Sequence, residues 1–152
     1  MHALQEQFDE QGYVILKRVF KPDVLNGVRS ALVELVDREA DKLLAAKRIP
    51  DAFSAASFET RMYRLYEHNL EIAPKSFRRE LHLPGMFDLF FNSSVLDLVS
   101  QFLGNEIRLY PNYTARPKFP EWEGTEVLWH QDGGYTAGAA DAHGVRDLKM
   151  VN

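Results

Sequence analysis

His130 and Asp132 are the residues whose types and spacing could do chemistry. They stand one residue apart in the run VLWHQDGGYT, residues 127–136. Alternate side chains of a strand point to opposite faces, so two residues spaced this way share a face. An imidazole and a carboxylate on one face can hold a divalent metal between them. They are two-thirds of the two-His-one-carboxylate set of non-haem Fe(II) oxygenases. Three open positions on such an ion accept a bidentate co-substrate and O₂. The pair alone is a common coincidence, since a surface histidine and a turn aspartate often meet by chance. Its neighbours sharpen it: Trp129 precedes, and Gly133, Gly134 and Tyr135 follow.

A strand is needed to aim this pair, and the sequence places one at 127–131, closed by Gly133 and Gly134. A second is expected at 107–116, with Arg108, Tyr110, Asn112, Thr114 and Arg116 on one polar face, which faces either solvent or a cavity. Pro111 lacks a ladder donor and belongs at an edge or bulge. Residues 118–124 and the small-residue run 136–144 read as loops, and 147–152 reads as the opening of a further strand.

The elements upstream are mostly helical. Residues 4–11 form a short helix ended by Gly12, a C-terminal glycine position. Tyr13 opens a β-branched and aromatic run that reads as a strand to about Phe20. Pro22 and Asp23 suit a first helical turn. Val24, Leu25, Val28, Leu32, Leu35, Val36 and Leu43 then recur at three- and four-residue steps, predicting an amphipathic helix to about Lys47. Residues 51–57 read as a loop. Helical spacing returns over 58–72, broken by Pro74, and again over 84–91. Ser93 or Ser94 caps a helix through Leu103, stopped by Gly104. These apolar stripes read as core. Helices first and β-structure from about residue 106 predict an α+β fold.

Composition bounds the rest. The 152 residues suit one domain, with 45% apolar and 26% charged residues. The net charge of −4 gives no reason to expect nucleic acid or an anionic membrane surface. No cysteine is present, which excludes disulfides, a thiolate zinc site and a cysteine nucleophile. No signal peptide is legible, and no apolar stretch approaches membrane-spanning length. A cytoplasmic setting is expected.

Three stretches together resemble the phytanoyl-CoA dioxygenase family of Fe(II)- and 2-oxoglutarate-dependent oxygenases. They are FxxxGYVIL at 8–16, RLYPNYTARPK at 108–118 and WHQDGGYT at 129–136. Trp-His-Gln-Asp followed by tyrosine is more specific than His-x-Asp. The resemblance implies a helical layer packed on a double-stranded β-helix (jelly-roll, cupin-like) core, here incomplete at its C-terminus. It implies that His130 and Asp132 are the first two iron ligands, that Asn112 and Thr114 touch 2-oxoglutarate, and that Tyr135 lines a pocket for a small-molecule substrate. Asp132 fills a site that related halogenating enzymes leave to chloride, so hydroxylation is implied.

The family's third ligand, a histidine, and its 2-oxoglutarate-binding arginine lie further downstream than Asn152. His143 sits in a small-residue loop, and His2, His68 and His82 belong to the helical part. Arg108 and Arg116 read as structural or pocket-lining. The resemblance therefore implies an N-terminal portion of a longer enzyme, inactive by itself. Two rivals stand beside it: a non-catalytic binding or interaction module that keeps the fold without a complete metal site, and a cupin using another metal.

Overall fold

A computed structural model describes residues 2–110, 113–130 and 151, the side chain of His2 excepted. The described residues are 52% helical and 2% strand, with no sheet. The chain divides into two compact units. One comprises 1–19, 92–109 and 127–152, and the other 20–91 and 110–126.

In the larger unit, α2 (Pro22–Ala45) is the spine. Packed on it are α3 (Phe58–Tyr66), α4 (Pro84–Phe90) and the 3₁₀ turn Arg79–Leu81. A second 3₁₀ turn, Leu70–Ile72, follows α3. The buried positions of α2 are Ala31, Leu35, Glu39, Ala40 and Leu43, a stripe at four-residue steps that a 3.6-residue turn keeps on one side. Leu43 and Ala40 join Leu65, Tyr66, Ala73 and Phe119 in one cluster, and Leu35 joins Phe77 and Leu81 in another. Burying a leucine of this kind contributes roughly 1.5–3 kcal/mol.

Two charged side chains are buried among these apolar ones, and each is paired. The Tyr66 hydroxyl donates to Glu39 Oε2 at 3.0 Å, and Lys42 Nζ lies 2.5 Å from the other carboxylate oxygen. Arg61 donates to Asp37 at 2.5 Å and to the Ala52 carbonyl at 3.1 Å. Both sets tie α2 to α3 or to the loop before it. On the exposed side, Arg29 of α2 lies over the Phe58 ring and pairs with Glu59.

Residue size decides how near α4 comes to α2. A Cβ at Gly85 would collide with the Gly27 carbonyl and come within 3.2 Å of the Ala31 Cβ. The C-terminus of α2 is closed by paired bonds: Arg48 N–H donates to Leu43 O and Lys47 N–H to Leu44 O, each at 2.9 Å. This is a Schellman closure, and Lys47 fills its left-handed position with φ 53° where glycine is the usual residue.

The smaller unit holds α1 (His2–Gln11) and α5 (Ser93–Leu103), with Phe8 and Phe102 edge to face at 5.2 Å. Gly12 at φ 76° closes α1, and Gly104 at φ 83° follows α5, both as the sequence predicts. The cap of α5 is Asn92, whose side chain accepts from Ser94 N–H, rather than either serine. All the fully buried residues among those described belong to the larger unit.

The β half of the α+β expectation is overturned. Residues 13–20, 107–110, 113–116 and 127–130 form no strand beyond an isolated antiparallel bridge between Phe77 and Ala115, so no double-stranded β-helix begins among the described residues, and the class is mainly α. The physical reason is that β-propensity expresses packing against neighbouring strands, and an extended segment without a partner has no ladder to join. Arg18, at φ 61°, also interrupts the first run. The strand expected at 147–152 lies outside the described residues, Val151 apart. The helix expected over 58–72 stops at Tyr66 and resumes only as the 3₁₀ turn. No helix among the described residues is long and apolar enough to cross a membrane.

Three measurements check this account. Lys47→Gly removes a left-handed lysine and should raise unfolding stability by about 1 kcal/mol in urea titration. Gly85→Ala forces α4 off α2 and should cost about 1–3 kcal/mol in the same titration. The third concerns Tyr66, whose phenol is held above its ordinary value of 10.0 by burial and then by the Glu39 carboxylate. A raised folded value means that the stabilisation is complete below pH 10.0 and is lost as pH climbs toward the folded value. Above pH 10 the wild type should therefore lose stability more steeply than Tyr66→Phe, read by chemical denaturation at stepped pH.

Candidate metal centre

The segment carrying the candidate ligand is open and irregular, with a bend at Trp129. Val127, Leu128 and Trp129 are 42%, 78% and 104% exposed. Proline, glycine and a left-handed Glu121 punctuate the loop before it. That loop is held at its base: Thr125 donates to the Pro117 carbonyl at 2.7 Å, Lys118 donates to the Thr125 carbonyl, and Phe119 enters the core.

His130 itself is exposed, and its Nδ1 lies 2.7 Å from the Leu128 carbonyl oxygen. A carbonyl only accepts, so in this contact Nδ1 is the donor. An imidazole whose Nδ1–H is held by a backbone carbonyl is the form in which histidine ligates metals through Nε2. The donor chemistry of His130 thus fits a divalent metal. The contact spans only two residues, a local reach that periodicity and motif spacing do not register.

Of the other expected site residues, Thr114 is half-buried in the larger unit. It sits between two anchored neighbours. Ala115 exchanges both backbone bonds with Phe77, at 2.8 and 3.1 Å. Tyr113 packs on Phe90 at 4.6 Å and on His82 at 6.0 Å, and its hydroxyl donates to the Leu81 carbonyl at 3.4 Å. Asn112, Asp132, Tyr135 and His143 lie outside the described residues. His68 is exposed beside Glu67, at 3.9 Å. Arg108 and Arg116 are exposed. Among the described residues no group of three or more His, Cys, Asp or Glu side chains is placed to hold a metal.

Strand alternation no longer argues that His130 and Asp132 share a face, because 127–130 is not a strand. What remains is their separation by one residue and their donor types. No family model, no curated protein and no solved structure matches the chain.

The pairing can be read directly. Substoichiometric Mn(II) should broaden the His130 ring resonances in proton NMR, and Asp132→Ala should largely remove that broadening. Sharp His130 signals in the wild type, or broadening indifferent to the substitution, would refute shared ligation.

Proposed function

We propose that this chain supplies two iron ligands, His130 and Asp132, to an Fe(II)- and 2-oxoglutarate-dependent dioxygenase resembling the phytanoyl-CoA dioxygenase family. The observation that carries the reading is the run WHQDGGYT at 129–136, together with the two upstream stretches at 8–16 and 108–118. The exposed His130 imidazole, with Nδ1 turned to the Leu128 carbonyl, supports it. The reading rests on the motif and on donor chemistry.

In this reading His130 offers Nε2 and Asp132 a carboxylate oxygen to one ion. The bound iron supplies activation of O₂, coupling decarboxylation of 2-oxoglutarate to hydroxylation of a small organic or acyl substrate. A carboxylate from Asp132 would fill the place that halogenating enzymes leave to a halide, so hydroxylation is favoured over halogenation. Asn112 and Thr114 offer an amide and a hydroxyl to the 2-oxoglutarate carboxylates. Tyr135 contributes a wall of the substrate pocket. The cysteine-free composition allows the cytoplasmic setting that this reading assigns.

The test uses the polypeptide encoded by the whole open reading frame, loaded anaerobically with Fe(II). Adding 2-oxoglutarate should produce a metal-to-ligand charge-transfer absorbance, and admitting O₂ should yield succinate. His130→Ala and Asp132→Ala should each abolish succinate formation while leaving the circular dichroism unchanged. A folded, iron-loaded protein that gives neither signal sinks the oxygenase reading in favour of a non-catalytic binding module.

A further inference from the structure

We draw no further inference here: the strongest candidate, the exposed apolar side chains of segments 13–16 and 127–129 in the smaller unit, is an unpartnered apolar surface, and nothing in the structure shows what covers it.

Discussion

A buried carboxylate sits at the point where α2 and α3 meet, and the larger unit is arranged so that Glu39 can be there. An isolated ionised carboxylate inside a core would be costly, so it requires partners. Tyr66 provides a hydroxyl from α3, and Lys42 provides an ammonium from one turn further along α2. The Tyr66 bond fixes the register between the helices. Leu43, Ala40 and Leu65 then close apolar surface around them. Arg61 repeats the device on α3, reaching Asp37 of α2 and the Ala52 carbonyl. Breaking either set leaves a buried polar group unpaired, which mutational experience puts at roughly 1–3 kcal/mol and more for a charge.

The second constraint is steric. Gly85 lets α4 lie against α2 at Gly27, and the close approach sets where Phe90 can meet Tyr113. Tyr113 in turn precedes the bridge at Ala115, and Phe119 re-enters the core beyond it. In this way helix packing and the Phe77–Ala115 bridge together position Thr114. The segment carrying the candidate ligand is supported differently. Residues 127–130 belong to the smaller unit, which buries none of its described residues fully, and His130 takes its orientation from a backbone carbonyl two residues away.

Much of the helical half was legible in the chain. Pro22 and Asp23 open α2, Gly12 closes α1, and Gly104 follows α5, because backbone chemistry at helix ends is local. The buried stripe was legible only in part. Leu25 belongs to the apolar spacing yet is half exposed, while Glu39 is buried. Hydrophobic periodicity cannot foresee a buried carboxylate whose partner arrives from another helix. The candidate site divides the same way: donor types and their one-residue separation are sequence facts, whereas the contact of the His130 imidazole with the Leu128 carbonyl belongs to the fold.

By itself, the sequence determined the start of α2, the ends of α1 and α5, the absence of thiol chemistry and the one-residue separation of His130 and Asp132, all set by residue identity within a few positions. Tertiary structure decided where the extended-looking runs go. Tyr13, Ile15, Val127 and Trp129 have the composition of strands, yet they join no sheet among the described residues. A helix completes its hydrogen bonds within its own segment, so local sequence can specify it. A strand completes its bonds only with a partner brought from elsewhere in the chain, and that partner is a property of the fold.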